Sequence, residues 1–439
     1  MPGKKSSPFQ LAILIGFGLF LAIGVLLFAR FAGFGGEANT IGTVVIWGEL
    51  NEEAFARAIV KVAEEDGRFR GVTYVQKDSD TFGAGLANAL ASGEGPDAYL
   101  LVQDKIVQDR SKIFPIPYEQ LSRRQFMDTF VEEGELFLDE EGVLGLPVAV
   151  DPMVLFWNRD IMSGSGYSAP PARWGDLSEM TAGLTTKDAA NTVLRSAISF
   201  GEYDNVPHAK EILSALILQA GGNIVEKDAE GKYVQKISES VVRNLSAAEI
   251  SLTYYTNFSN PARASTYTWN RSLRPAREAF AAGDAALYIG FASELPLIQD
   301  LNPNLNFDIS LLPQANIEEG ARQATYARMY AFAYPKNGKN VSGAIEATFL
   351  LVNADRAEIL PEAWNLPSAR RDVLSSPKDG AAEIFRRSAI IARGWFDPSP
   401  AATERIFERM IESVTAGSAS PKEAVNRADQ ELGNIISGS

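Results

Sequence analysis

Short β-branched runs alternate with amphipathic helical stretches between residues 43 and 102. The run TVVIWG predicts a first strand, and two further strands follow at GVTYVQ and DAYLLV. One helix is predicted after Asn51, which serves as its N-cap, and another from about Ser79. Strands that are joined by helices pair in parallel through right-handed crossovers. This region therefore predicts a three-layer α/β unit.

The chain is too long for a single ordinary core. Its 439 residues suggest two or three domains, because domains hold about 100–200 residues each. Helical patterns continue to the end of the chain, where Ser420 and Glu423 have the spacing of a capping box. The sequence has no fixed-period repeat and no long low-complexity segment.

Residues 9–29 form an uncharged apolar run. This run matches the roughly 20 residues that cross a bilayer as a helix. Lys4 and Lys5 precede the run and Arg30 follows it, which favours a cytoplasmic N-terminus. We predict a single-pass protein of the cell membrane whose remainder is extracellular or periplasmic, and the alternative is a cleaved signal peptide. The predicted parts are a cytoplasmic tail over 1–8, a transmembrane helix over 9–29 and a flexible linker over 30–42.

Composition and motifs exclude several kinds of chemistry. The chain has no Cys, its one histidine is His208, and its formal net charge is −14. An acidic surface argues against nucleic-acid binding, and we expect His208 to lie at the surface rather than to act as a base. No GxxxxGK[ST], HExxH or strand-linked GxGxxG motif is present, so we predict no enzyme activity, no cofactor and no metal. Paired carboxylates keep open the alternative of an exported carbohydrate-active enzyme.

One carboxylate interrupts an apolar stretch in GVLGLPVAVDPMVLFWNRD, residues 142–160. Asp151 must be paired, protonated or open to a water-filled site, because an isolated charge in an apolar interior is strongly unfavourable. It therefore marks either a ligand-binding cleft or an acid that accepts hydrogen bonds from backbone amides. Both interpretations stay open at this level.

Aromatic and acidic residues also mark candidate site walls. Ligands of open α/β sheets sit beyond the carboxyl ends of the strands, where Trp47, Glu49 and Asp104 are predicted to lie. Trp269 and Trp395 lie in loop-like segments, STYTWN and RGWFDP. Aromatic rings at such positions stack on sugar faces, although each of them could instead pack in a core.

Nine segments in order resemble extracellular solute-binding protein family 1. This family contains the carbohydrate-type substrate-binding proteins of ABC importers and is similar in plan to maltose-binding protein. The resemblance covers most of residues 43–436. The segments are VVIWGE, GPDAYLLVQD, GLPVAVDPMVLFWNRDIM, WGDL, AFAAGDAALYIGFASE, FDISLLP, AFAYPKNGKNVSGAIEATFLLV, LPSARRDVL and SASPKEAVNRADQEL.

The resemblance implies a hinge-linked, two-lobe α/β fold of the type II periplasmic-binding-protein kind, preceded here by the transmembrane helix. Lobe 1 would comprise 43–149 with 322–366, and lobe 2 would comprise 150–321 with 367–439. The chain would cross between the lobes near Val148–Asp151, Ala321–Ala327 and Leu366–Ala369. Closure about the hinge would enclose the ligand.

The resemblance also implies a binding function without catalysis. The chain would capture a sugar or oligosaccharide and deliver it to the permease of an ABC importer, and the alternative is a sensing or assembly ectodomain with the same fold. Where the family often has an aromatic residue, this chain has Ala292, with Phe291 beside it. Together, the two lines of reasoning predict these ligand-binding residues: Trp47, Glu49, Asp104, Asp151, Trp269, Phe291, Tyr326, Arg328 and Trp395.

Overall fold

The structure of the protein is a computed structural model that describes residues 41–316 and 322–438. The predicted tail, the transmembrane helix and the linker up to residue 40 lie outside the described residues, as does Ala321 of the predicted second crossing. Within the two described ranges, no helix combines the length and the apolar character that a membrane span requires.

Strands and helices alternate along most of the described chain. The strands are β1 (Val44–Gly48), β2 (Val72–Gln76), β3 (Ala98–Val102), β4 (Leu146–Asn158), β5 (Thr186–Lys187), β6 (Val193–Ile198), β7 (Val225–Lys227), β8 (Tyr233–Gln235), β9 (Ser240–Val242), β10 (Leu245–Ser246), β11 (Ala285–Phe291), β12 (Phe307–Ser310), β13 (Thr325–Ala333) and β14 (Ala392–Arg393). The α-helices are α1 (Glu52–Glu65), α2 (Ser79–Ser92), α3 (Ile106–Asp109), α4 (Arg123–Thr129), α5 (Arg159–Gly164), α6 (Trp174–Leu184), α7 (Ala209–Gln219), α8 (Ala247–Thr256), α9 (Ala276–Ala281), α10 (Leu295–Leu301), α11 (Val341–Leu351), α12 (Ile359–Ala363), α13 (Arg371–Leu374), α14 (Ala381–Ile390), α15 (Pro400–Thr415) and α16 (Pro421–Gly438).

The first α/β unit has the predicted arrangement. Strand β1 pairs in parallel with β2 on one side and with β3 on the other. Helix α1 begins where predicted, because the Asn51 side chain accepts a hydrogen bond from the Ala54 amide at 2.8 Å. Near the chain end, Ser420 and Glu423 form the predicted capping box: the Ser420 amide donates to the Glu423 carboxylate at 2.9 Å.

Two hydrophobic cores meet along a boundary that runs through β4 and β13. In β4, Val150 belongs to the first core and Met153 to the second. In β13, Ala327 belongs to the first core, whereas Tyr326 belongs to the second. The described chain therefore has two lobes, one around each core. The residue limits predicted for the lobes stay predictions.

Strands β4 and β13 join the two lobes. They are antiparallel, with Asp151 opposite Arg328 and Pro152 opposite Ala327. In the first lobe β13 also pairs with β3, while the second half of β4 pairs with β11 and β12 in the second lobe. The strand order is β2-β1-β3-β13-β4-β11-β6-β5. Because the two strands pass from one core to the other, the residues at the passage lie between the lobes.

Candidate functional site

The Asp151 carboxylate lies where β4 passes between the lobes, with only 1% of the residue exposed. Its two oxygens accept hydrogen bonds from Ser293, one from the amide at 2.9 Å and one from the hydroxyl at 2.6 Å. Burial raises the pKa of Asp151 to about 6, and the bonds from Ser293 and the charge of Arg328 oppose that rise. A carboxylate oxygen accepts more than one bond, so contact with ligand hydroxyls stays a prediction.

Arg328 stands opposite Asp151 and is held by two contacts with the second lobe. Its guanidinium lies 3.6 Å from a Glu211 oxygen and 4.0 Å from the centroid of the Phe291 ring. Burial acts to lower the pKa of Arg328, but the negative charge of Glu211 raises it above its ordinary value. Arg328 therefore stays positively charged between the lobes. Its guanidinium lies over the Phe291 ring as a cation–π contact.

The charges of four acids act on the phenol of Tyr326, which is two residues before Arg328 on β13. Burial raises the pKa of Tyr326 well above its usual value, and the charges of nearby acids raise it further. The Tyr326 ring also meets the Phe291 ring edge-on, with centroids 6.5 Å apart. The structure thus brings together Asp151, Phe291, Tyr326 and Arg328 of the predicted set. The acids are Asp104, Glu211, Asp397 and Glu133.

Four buried polar atoms near this group have no hydrogen-bond partner among the described residues. They are one carboxylate oxygen of Asp104, both oxygens of Glu133 and the indole nitrogen of Trp395. Burial raises the pKa of Glu133 well above its ordinary value, with Arg393 acting against it. Each buried polar group left unpaired costs about 1–3 kcal/mol, so a hydrogen bond from a ligand or a water to these atoms would recover that free energy.

Two supports fix Asp104 and Trp395. Beside Asp104, the Gln103 amide donates to the Ala327 carbonyl at 2.8 Å and accepts from the Met329 amide at 2.7 Å, which ties the turn to β13. The Trp395 ring stacks on Phe407 with centroids 6.2 Å apart. Both side chains are therefore held in place without using their unpaired polar atoms.

The floor beneath Trp395 is a buried ion pair. The Lys210 ammonium donates to Asp397 at 2.7 Å and to the Thr403 hydroxyl at 2.9 Å. It also lies 5.5 Å from the centroid of the Trp395 ring. Removing either charge would leave the other uncompensated in the interior, so the pair fixes the loop that carries Trp395.

Two other predicted residues lie at the first-lobe edge of the site. Trp47 belongs to β1 itself and is half-buried, with the Lys77 ammonium 3.9 Å above its ring. The Glu49 carboxylate accepts a hydrogen bond from the Lys105 ammonium at 2.6 Å. Lys105 is next to Asp104 in the sequence. Glu49 and Asp104 are thus brought to the same end of the first sheet.

Trp269 is fully buried, with 1% of the residue exposed. Its ring is buried in the second core, and its indole nitrogen donates to the Asn205 side chain at 3.0 Å. Its role as a ligand-binding residue stays a prediction. The expectation that His208 lies at the surface is wrong, because it is largely buried and bonded to Glu294 at 2.8 Å.

Sequence reasoning missed four residues of the site: Glu133, Lys210, Glu211 and Asp397. Glu133 lies in an acid-rich stretch whose composition is typical of a solvated surface. Lys210 and Glu211 follow His208, and Asp397 follows Trp395 by two residues. Lys210 pairs with Asp397 across 187 positions, and neither local spacing indicates that pairing. Of these four residues, only Asp397 lies in a segment that the sequence analysis singled out, the aromatic loop RGWFDP.

One carboxylate cluster of the described residues has oxygens close enough to share a metal ion. Asp204, Glu408 and Glu412 bring such oxygens within 4.8 Å of one another. All three are exposed or half-buried, and surface acids often cluster without an ion. The predictions of no metal and no cofactor therefore stay predictions.

The two lobes, the shared strands and the polar cleft define a periplasmic-binding-protein-like molecule. Residues 58–384 match the family model described as bacterial extracellular solute-binding protein, and the chain belongs to that family. The galactooligosaccharide-binding protein of Bacillus subtilis (strain 168) is 22% identical over 298 residues. That match covers 66% of this chain and 65% of the relative, which is slightly less than two thirds of the relative's length.

Solved structures share the fold at low sequence identity. A cyclo/maltodextrin-binding protein complexed with maltotetraose superposes with a TM-score of 0.72 and 15% identity, covering 91% of this chain and 98% of that one. An ABC transporter solute-binding protein from Thermotoga lettingae TMO, bound with α-D-tagatose, superposes with a TM-score of 0.65 and 19% identity. That match covers 90% of this chain and 100% of the other. At such identities the likeness establishes the fold and leaves the ligand open.

Proposed function

We propose that this protein captures a carbohydrate between its two lobes by hinge closure and delivers it to an ABC importer. The observation that carries the proposal is the set of unpaired buried polar atoms on Asp104, Glu133 and Trp395. A sugar hydroxyl both donates and accepts, so one kind of group can satisfy carboxylate oxygens and an indole N–H alike. The sugars named for its relatives support the same ligand class.

Charge and shape at the site are compatible with a neutral ligand. Arg328 is balanced by Glu211, and Lys210 is balanced by Asp397. The remaining acids, Asp104 and Glu133, are unpaired acceptors, and they would receive hydroxyl hydrogens. Burial raises the pKa of Glu133 well above its ordinary value, which favours the neutral carboxyl. A neutral carboxyl can donate to a hydroxyl as well as accept from one, which suits a ligand without charge.

The proposal includes a membrane anchor and an importer. The apolar run over residues 9–29 is long enough to span a bilayer, and it would hold the receptor beside its permease. Tethering raises the effective concentration of the receptor at the permease without any new contact. No catalytic step belongs to the proposal, since its relatives are named as binding proteins.

A thermal-shift screen of the full chain in detergent tests the proposal. The panel would contain mono- and oligosaccharides, with polyamines and amino acids as comparison classes. A ligand at about one hundred times its dissociation constant stabilises the native state by roughly 2.7 kcal/mol, which is readily measured. We expect a shift with sugars alone. A shift with polyamines or amino acids and none with sugars would keep the fold and overturn the ligand class.

A further inference from the structure

His208 holds a strained backbone conformation directly before helix α7. Its φ of 63° and ψ of 26° lie in the left-handed region, which few residues other than glycine adopt. The His208 carbonyl accepts the first-turn hydrogen bond from the Ile212 amide at 2.8 Å, but its side chain makes no cap bond to the helix. Such strain persists only where the surroundings hold the residue in place, and it is common at functional sites.

The His208 imidazole donates a hydrogen bond to the buried carboxylate of Glu294. Its Nε2 atom lies 2.8 Å from one Glu294 oxygen. Burial acts to raise the pKa of Glu294, but the hydrogen bonds from His208 and Tyr288 and the charge of Arg277 lower it to about 2. Glu294 is therefore ionised and can only accept, so Nε2 carries the proton of this bond.

The Glu294 carboxylate gathers donors from several elements. Besides the imidazole, it accepts from the Phe291 amide at 2.9 Å, from the Arg277 guanidinium at 2.7 Å and from the Tyr288 hydroxyl at 2.7 Å. Of these four donors, His208 is the one that belongs to the start of α7. Its bond therefore ties α7 to the turn that follows β11.

The same turn supports two opposed residues of the site. The imidazole meets the Phe291 ring edge-on, with centroids 4.8 Å apart, and the Arg328 guanidinium lies over that ring at 4.0 Å. Ser293, in the same turn, donates to both oxygens of Asp151. His208 thus contacts the turn that holds Arg328 and Asp151, although neither of them is bonded to it.

Helix α7 supplies a further support for the arginine. The Glu211 carboxylate, three residues after His208, lies 3.6 Å from the Arg328 guanidinium. Arg328 is therefore held by Glu211 from α7 and by Phe291 from the turn. His208 links these two supports, because it precedes the one and packs on the other.

We propose that His208 is a positioning residue of the sugar site. Its bond to Glu294 fixes α7 against the turn after β11, so that Arg328 and Asp151 keep the geometry that binds the ligand. This inference rests on the proposed function and adds to it a residue that acts without contacting the sugar. Loss of the bond should therefore weaken binding even though no group that contacts the sugar is removed.

Two substitutions of His208 separate the side-chain bond from the backbone strain. The amide nitrogen of His208→Gln can reach the place of Nε2 and donate to Glu294, whereas the shorter amide of His208→Asn cannot, but asparagine suits the left-handed backbone. Calorimetry of the full chain in detergent, with maltotetraose and galactobiose as probes, measures the affinity. We expect His208→Asn to bind about tenfold more weakly than the wild type, as the loss of a hydrogen bond to a charged group implies, and His208→Gln to stay within about threefold.

The order of the two variants decides the outcome. Wild-type affinity in His208→Asn would overturn the inference, and so would a His208→Gln that binds no better than His208→Asn. The control is Asn158→Ala, which removes the N-cap bond of α5 at 3.0 Å elsewhere in the second lobe. It should lower the free energy of unfolding and leave the affinity unchanged. An equal loss of affinity in the control would assign the effect to general destabilisation and overturn the inference.

A second measurement uses the wild-type chain and does not depend on the folding of any variant. His208 is the only histidine among the 439 residues, so ¹³C-labelled histidine gives a single imidazole signal. Saturation with a bound probe sugar should shift this signal, and an unchanged signal would overturn the inference while leaving sugar binding intact. A wild-type chain that binds neither probe nor any sugar of the thermal-shift panel would overturn the proposed function and the inference with it.

Discussion

At the scale of single residues, two buried tryptophans, Trp269 and Trp395, differ in the hydrogen bonding of the indole nitrogen. The Trp269 indole nitrogen donates to Asn205, whereas the Trp395 indole nitrogen has no partner among residues 41–316 and 322–438. Both rings are otherwise packed, Trp395 on Phe407 and Trp269 in the second core. The sequence presents them alike, as aromatic residues in polar loops. Their different bonding predicts opposite effects for the same substitution.

Trp395→Phe should weaken sugar binding about fivefold to tenfold, because a ligand loses one hydrogen bond of roughly 1 kcal/mol. The free energy of unfolding without ligand should fall by less than in Trp269→Phe, since both variants lose packing but no hydrogen bond between described residues is lost here. Calorimetric titration and urea unfolding measure the two quantities. Unchanged affinity would show that the unpaired nitrogen does not face the ligand.

Trp269→Phe is the matched control and should behave in the opposite way. It leaves the buried Asn205 oxygen without its donor, so we expect a loss of about 1–3 kcal/mol in the free energy of unfolding. Sugar affinity should stay unchanged. A marked loss of affinity in this variant would return Trp269 to the ligand-binding set.

Asp151 gives the protein a pH-dependent stability. Burial raises its pKa from 3.8 to about 6, so the folded protein holds this proton more tightly than the unfolded chain does. The tighter binding of this proton stabilises the folded protein fully below about pH 4, and that stabilisation is lost as the pH rises through about 6. Two pKa units correspond to roughly 3 kcal/mol.

Asp151→Asn tests this effect, because an amide keeps the shape and does not titrate. Its oxygen can accept from the Ser293 amide, while its nitrogen would donate to the Ser293 hydroxyl, which donates in the wild type. We expect the variant to gain roughly 3 kcal/mol relative to the wild type between pH 4 and pH 7. Urea unfolding at several pH values measures the difference. A difference that is constant over this range would mean that Asp151 does not titrate as its burial implies.

At the scale of elements, the β7–β8 hairpin joins the lobes at the mouth of the cleft. Lys227, the last residue of β7, donates to Asp139 of the first lobe, which also accepts from Arg110. Gly231, in the turn of the hairpin, lies against Glu140 of the same stretch. The hairpin thus bridges the two lobes, and we expect its contacts to stabilise the closed form.

Lys227→Ala should therefore lower sugar affinity by about fivefold, mainly through faster dissociation, because a half-buried ion pair is worth roughly 1 kcal/mol. Stopped-flow release of ligand measures that rate. Lys236→Ala is the matched control, since its partners Glu226 and Glu239 belong to the same lobe. Equal effects of the two substitutions would exclude a role for the contact between lobes.

Elements were predictable where local patterns were sufficient. Helix α1 and the strands around it follow from apolar spacing and from Asn51, all within a few residues of one another. The pairing of β4 with β13 was not predictable in register, because Asp151 and Arg328 are 177 positions apart in the sequence. That register determines which side chains of β13 point toward the cleft.

At the scale of the whole molecule, the described residues form the binding module, and the apolar run over 9–29 precedes them. Deleting residues 1–36 should leave sugar affinity unchanged, since the site lies between the lobes, and should abolish retention in the membrane fraction. Flotation and calorimetry of the truncated protein measure the two outcomes.

Deleting residues 2–8 alone is the control for this deletion, because it keeps the apolar run. This shorter deletion should leave the protein in the membrane fraction. If the protein that lacks residues 1–36 also stays with the membrane, the run over 9–29 is not the anchor.

The sequence by itself determined the kind of fold and the family of the protein. Strand and helix periods, caps and family segments are local, so they can be recognised before the chain is folded. The tertiary structure alone decided which polar groups are left unpaired between the lobes. Glu133 meets Gly394, and Lys210 meets Asp397, across long stretches of sequence. Whether a buried carboxyl or indole is satisfied depends on neighbours that only the folded chain supplies, and no local pattern records them.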